Sequence, residues 1–219
     1  MQIAIDGPSS AGKSTVAKKV AQSLGFVYCD TGAMYRAATV LAREYGIDYG
    51  DETQILAELS QSEISFKPVA SGQLVFLNGE DVTLAIRTPE ITNNVSQVSA
   101  LPKIREELVR QQRKIAGDHD IVMDGRDIGT TVLPDAEVKV FLVASASERA
   151  RRRYEENIQK GIMTPLAKLQ EEIETRDYKD SHRQISPLTK AVDAIEIDST
   201  NLSIREVVER IVELANIAK

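Results

Sequence analysis

The chain has 219 residues, 42% of them hydrophobic and 27% charged, the balance of an ordinary globular protein long enough for one substantial core. Its 27 Lys and Arg against 33 Asp and Glu leave a net charge of −6, which argues against a general nucleic-acid binder, because such proteins need a basic face to displace counterions. No apolar run approaches the roughly 20 residues of a membrane span, no basic stretch with an apolar h-region opens the chain, and the lone Cys29 allows no internal disulfide. A cytoplasmic protein without a membrane partner is therefore expected, and a His/Cys metal site is all but excluded.

In chain order, Met1 to Ile5 reads as a short buried strand, and Gly7-Pro8-Ser9-Ser10-Ala11-Gly12-Lys13-Ser14 after it is a complete G-x-x-x-x-G-K-S. Such a loop gathers backbone N–H groups at a helix start, where they suit phosphates. Lys13 is expected to reach the β/γ-phosphates of a nucleotide and the Ser14 hydroxyl to face Mg²⁺. Val16, Ala17, Val20, Ala21 and Leu24 recur at helical spacing until Gly25 stops the helix. A Gly/Ser-rich turn that matches by chance is the plain alternative, and the strand before and helix after argue against it.

Phe26 to Asp30 is a second strand, and Met34, Ala37, Ala38, Leu41 and Ala42 form a helical apolar face as far as Gly46. This alternation is the signature of a parallel α/β sheet. Ligands gather beyond the carboxyl ends of such strands, so Asp30-Thr31-Gly32 is expected on the rim of the phosphate loop. Residues 51–60 form a short helix. Ile64 to Val69, Gln73 to Leu77 and Asp81 to Thr83 then read as strands, with Asn78-Gly79 a type I′ hairpin signal. Helical spacing returns from Pro89 to about Ser99 and from Pro102 to Ala116.

Asp120 to Asp124 resumes the sheet, Gly125 to Thr130 is a loop, and Val138 to Val143 is a buried strand. Ser145 and Glu148 open the next helix as a capping box. It carries Arg149, Arg151, Arg152 and Arg153 to about Lys160, before Gly161. A polar helix from Thr164 to about Arg183, a strand from Ala194 to Asp198 and a terminal helix capped by Ser203 and Glu206 complete the chain. The expected fold is α/β: one domain, 1–219, with a five-stranded parallel sheet, helices on both faces, and a small antiparallel insert.

A phosphate loop alone allows a GTPase switch, a transporter motor or a small kinase. No Asn-Lys-x-Asp follows Val143, and Asp124 leads straight into Gly-Arg-Asp, a cation and a carboxylate that favour a second bound molecule over water. Two anions brought together need several converging cations. Arg36, Arg105, Arg126, Arg176 and Arg183 are candidates, although any one arginine alone is by default a solvated charge. An alcohol acceptor would call for a base, Asp30 or Asp127. A phosphate acceptor, with its second pKa about 6, needs none. Both acceptors remain open, as does a nucleotide-dependent switch.

Gly7 to Thr15, Asp30-Thr31-Gly32-Ala33-Met34-Tyr35-Arg36, Asp124 to Thr130 and Arg176 to Arg183, in this order and spacing, resemble the bacterial cytidylate kinase family of P-loop nucleoside monophosphate kinases. The likeness covers essentially the whole chain. It implies Mg²⁺-assisted in-line transfer of the ATP γ-phosphate to CMP or dCMP, with ATP held by Gly7, Pro8, Ser9, Ser10, Ala11, Gly12, Lys13, Ser14, Thr15, Arg149 and Arg153. It implies Thr31, Ser96, Arg105 and Asp127 around the cytosine, Arg36 and Arg126 on the CMP phosphate, Asp180 on the sugar, and Arg176 and Arg183 bridging sugar and phosphates. Lys13, Arg126, Arg176 and Arg183 would stabilise the transferred group. Residues 63–98 correspond to a monophosphate-binding insert and 149–183 to a lid that closes over ATP. The implied partners are small nucleotides only, and the protein is expected to be a monomer. Some members carry Ser in place of Thr31 and Gly in place of Ser14. Thr31 keeps the hydroxyl, and Ser14 restores the one that faces Mg²⁺.

Overall fold

A computed structural model describes residues 1–69, 72–117, 119–159 and 161–218. In chain order these form β1 (Gln2–Asp6), α1 (Lys13–Leu24), β2 (Val27–Asp30), α2 (Thr31–Glu44), α3 (Glu52–Leu59), β3 (Ile64–Val69), β4 (Gly72–Leu77) and β5 (Glu80–Asp81). A 3-10 turn at Ala85–Arg87 leads into α4 (Pro89–Val98) and α5 (Pro102–Ala116). Then come β6 (Ile121–Gly125), a π-helical turn at Ile128–Val132, β7 (Val138–Val143), α6 (Ala146–Gln159), α7 (Leu166–His182), β8 (Ile195–Asp198) and α8 (Ile204–Ile217). The chain divides into two compact units, Met1–Tyr28 with Asp118–Lys219, and Cys29–Gly117.

The first unit is built on the parallel sheet, with strand order β2-β6-β1-β7-β8. β1 lies at its centre and pairs in parallel with both β6 and β7. Its run Ile3-Ala4-Ile5 is wholly buried, as a strand covered on both faces requires. Ile3, Ile5, Val140 and Leu142 pack with Val16 and Val20 of α1 and with Val207 and Ile211 of α8. Each such side chain contributes about 1.5–3 kcal/mol when fully buried. Gly25 ends α1 in the left-handed conformation that closes a helix without a Cβ penalty, and Ser203 and Glu206 cap α8 reciprocally.

The second unit packs α2 against α4, and α3 against α5. Asp30, Asp51 and Thr88 each accept an N–H of the helix they open, which stops α2, α3 and α4 from fraying. Its antiparallel sheet has the order β3-β4-β5, with Ile64 opposite Leu77. Asn78 and Gly79 take φ of 52° and 84°, the pair of positive values that a type I′ turn needs.

The structure departs from the sequence reading at three places. β5 is Glu80–Asp81, not Asp81 to Thr83, because the tight turn starts pairing at once with Leu77 opposite Glu80, while the Thr83 hydroxyl accepts the Val75 N–H. The Ser145 and Glu148 capping box is only half formed. Ser145 Oγ accepts the Glu148 N–H at 3.2 Å, but the Ser145 N–H donates to Thr200, and Arg151 and Arg152 claim the Glu148 carboxylate. Gly125 to Thr130 is not an open loop throughout, since the π-helical turn starts at Ile128. Lys160, the expected end of α6, lies outside the described residues.

Candidate active site

The phosphate loop leaves β1 at Gly7, whose φ is +148° and where a Cβ would sit 2.0 Å from the Leu142 carbonyl oxygen of β7. Only glycine allows that approach. Gly12 and Ser10 also hold positive φ, 92° and 59°, so the loop turns sharply enough to start α1 at Lys13. Lys13 is 5% exposed, and its ammonium donates to the Pro8 carbonyl at 2.7 Å. Burial, helped by the nearby Arg126 and Arg176, pushes its pKa down to about 7, against the pull of Asp124 and Asp6. Lys13 and the two arginines near it are poised for an anionic ligand whose charge offsets their mutual repulsion.

Ser14 Oγ donates to Asp124 Oδ2 at 2.9 Å, and the Tyr28 hydroxyl donates to Oδ1 of the same carboxylate at 2.7 Å. A hydroxyl and a carboxylate are hard oxygen donors of the kind Mg²⁺ takes, and they stand at the phosphate loop, so the residues present fit that ion. The sequence pointed to Ser14 alone. Asp124 was visible as a strand-ending acid, but its pairing with a serine 110 residues away was not.

α6 and α7 close on the loop from outside. The buried Arg149 donates to the Ser9 carbonyl at 2.9 Å and pairs with Asp177 at 2.6 Å, while Asp177 in turn accepts the Ser9 N–H at 3.3 Å. Arg152 reaches the Ala11 carbonyl at 3.5 Å and the Ser199 carbonyl at 2.6 Å. The sequence shows Arg152 only as one of a run of four arginines, because which side of α6 faces the loop depends on helix phase in the folded unit, and it gives Asp177 no role.

Beyond β6, Arg126 pairs with Asp180 of α7 at 2.9 Å and Arg183 reaches Asp127 at 3.4 Å. Burial alone would raise the Asp180 carboxyl, but Arg126, Arg176 and Arg183 outweigh it and hold it below the ordinary range. Burial likewise opposes the Arg126 charge, and Asp180, Asp177 and Asp124 overcome it. Thus Lys13, Ser14, Arg126, Asp127, Arg149, Arg176, Asp180 and Arg183 all fall within the first unit.

Thr31, Arg36, Ser96 and Arg105 fall in the second unit. Thr31 is buried in the first turn of α2, and Arg36 on the next turn is held by Asp30 at 3.0 Å. Arg105 is buried on α5, where it donates to the Ser99 carbonyl at 3.0 Å and lies 5.1 Å from the centre of the Tyr35 ring. Ser96 is half-buried on α4.

The family model described as Cytidylate kinase matches residues 3–217. The chain belongs to the cytidylate kinase family. A cytidylate kinase of Lactobacillus gasseri is 62% identical over 98% of this chain and 93% of its own length. One of Lactiplantibacillus plantarum is 60% identical over 98% of this chain and 94% of its own. The crystal structure of an uncharacterized protein from Eubacterium ventriosum, 13% identical, covers 99% of this chain and 98% of its own with a TM-score of 0.54, a likeness of fold. Among the described residues of this cytidylate kinase family member, no helix is long and apolar enough to cross a membrane.

Proposed function

We propose that this chain transfers the γ-phosphate of ATP to CMP or dCMP, giving ADP and the matching diphosphate. The observation that carries the reading is the buried Lys13, close enough to Arg126 and Arg176 for their charges to lower its pKa, at the start of α1 behind a phosphate loop. Such a group of cations, held in place by Asp124, Asp177 and Asp180, suits the phosphates of two nucleotides. Family membership supports CMP as the acceptor.

Phosphoryl transfer asks little covalent chemistry of the protein, so orientation and charge stabilisation do the work. On this reading the loop from Gly7 to Thr15 cradles the ATP phosphates, with Arg149 and Arg153 from the lid at 149–183 above them. Mg²⁺ held by Ser14, with Asp124 behind it, would supply charge neutralisation at the transferred phosphate. Lys13, Arg126, Arg176 and Arg183 stabilise the charge in flight. Arg36 and Arg126 bind the acceptor phosphate, Asp180 the sugar, and Thr31, Ser96, Arg105 and Asp127 the cytosine. Arg105 and Asp127 offer the donor and acceptor that a cytosine edge needs. Arg126 would exchange its bond to Asp180 for the acceptor phosphate, and Asp180 would then be available to sugar hydroxyls. No base is required, since the acceptor phosphate is already an anion at neutral pH. The reading includes a monomer that works in the cytoplasm, supported by the single, buried Cys29.

The test is a coupled ADP-release assay with Mg-ATP and a panel of CMP, dCMP, UMP and AMP. Turnover that depends on CMP or dCMP and exceeds that with AMP is expected. No dependence on CMP, or a preference for AMP, contradicts the proposal.

A further inference from the structure

Asp6 closes β1 immediately before the phosphate loop and is 5% exposed. It does not point at any ligand group named above. Its Oδ1 accepts the backbone N–H of Ile128 at 2.8 Å and its Oδ2 that of Gly129, also at 2.8 Å. Two consecutive amides on one carboxylate form a fork that fixes direction as well as distance.

The backbone of Asp6 also faces Gly125 in the β1–β6 register. One residue therefore holds both ends of the excursion that carries Arg126 and Asp127: Gly125 through the sheet, and Ile128–Gly129 through the carboxylate. The approach at the far end is tight. A Cβ on Gly129 would sit 3.5 Å from Asp6 Oδ2 and 3.2 Å from Cδ of Lys139, which is itself anchored to Asp193 at 2.6 Å. The fork also satisfies N–H groups at the start of the π-helical turn Ile128–Val132, a rare geometry that is frequent at functional sites.

We infer that Asp6 is a positioning residue for the acceptor, tying the Arg126-Asp127 excursion to the end of the strand that also launches the phosphate loop. It sets where the acceptor-side guanidinium and carboxylate stand relative to the donor loop, without touching either substrate. The inference rests on the acceptor roles given above to Arg126 and Asp127. Burial raises the Asp6 pKa to about 6, against the pull of the two amides, so the fork is held by a carboxylate at neutral pH.

Asparagine at this position offers one oxygen and turns an N–H₂ toward the second amide, so Asp6→Asn breaks the fork while keeping its volume. A displacement of about 1 Å at a reacting group costs on the order of 100-fold. In Asp6→Asn, kcat/KM for CMP should fall roughly 10- to 100-fold, while the Kd for Mg-ATP measured by calorimetry stays within about threefold. Selectivity for CMP over UMP should fall in the same variant, a change that a general loosening of the fold does not produce. Equal losses on ATP and CMP, or no loss on either, overturn the inference. If the variant does not fold, hydrogen exchange of the wild type decides. The Ile128 and Gly129 amides should be protected without nucleotide at pH 7.5, with protection factors, each taken against the intrinsic rate at that pH, that fall near pH 5.5, and unprotected amides at pH 7.5 overturn it. Failure of the underlying function would look different, as wild-type protein with no CMP-dependent turnover at all.

Discussion

Replacing Lys13 with methionine should stabilise the nucleotide-free protein while removing its activity, because the burial that suits Lys13 to an anionic ligand is a cost until the ligand arrives. The lysine pKa falls from 10.5 to about 7 in the folded chain. At about 1.4 kcal/mol per pKa unit this corresponds to at most about 5 kcal/mol against the charged form. The sign follows from linkage: between pH 7 and 10.5 the unfolded chain holds the extra proton, so the penalty is complete below pH 7 and disappears as pH rises toward 10.5. Methionine keeps the length of the stem but leaves the Pro8 carbonyl without its 2.7 Å partner, a loss of about 1–2 kcal/mol. A net gain of at most about 3–4 kcal/mol at pH 7 should raise Tm by up to roughly 6–16 °C for a chain of this size. Turnover should drop at least about 10²- to 10³-fold, the usual cost of a lost transition-state donor. Circular dichroism melts of both proteins without nucleotide at pH 7 and pH 10, with ADP release measured alongside, provide the check. A Tm for Lys13→Met at or below wild type at pH 7, or a difference that grows toward pH 10, would show that burying the Lys13 charge carries no such cost.

Gly7→Ala forces a Cβ to 2.0 Å from the Leu142 carbonyl at a φ of +148°, so the urea midpoint should fall by the equivalent of about 3 kcal/mol or more. An unchanged midpoint would mean the loop can leave β7 without cost. Ser14→Ala deletes the hydroxyl bonded to Asp124, and the Mg²⁺ concentration for half-maximal rate at fixed ATP should rise about 10-fold or more. A Mg²⁺ titration that superimposes on wild type would remove Ser14 from the metal's surroundings. Ser203→Ala breaks the reciprocal cap of α8 and should cost about 1 kcal/mol, seen as a Tm lower by about 2–4 °C with kcat unchanged.

The parts of the chain that depend on local chemistry are legible in the amino-acid sequence itself. The apolar strand, the glycines with positive φ and the helix after them declare the phosphate loop within a short stretch, and Asn78-Gly79 declares its hairpin. The parallel sheet follows from the alternation of such strands with amphipathic helices. What the sequence hides is pairing across long separations. Asp6 and Ile128 are 122 residues apart and Ser9 and Asp177 168 apart, and nothing local to either partner announces the other. The same limit explains Arg152. A run of arginines spaced around α6 says that some face the loop, but only the packed helix decides that Arg149 and Arg152 do. Local signals also compete, as at Glu148, where the capping pattern is present but two arginines on the following turn draw the carboxylate away.

On the proposed function, the cations around the phosphate loop serve transfer between two nucleotides and not hydrolysis of one. Incubation with ATP carrying a radiolabelled γ-phosphate, Mg²⁺ and CMP, followed by separation of the products, tests it directly. The label is expected in CDP, one for each ADP formed. Label released mainly as inorganic phosphate, at a rate that CMP leaves unchanged, would contradict it.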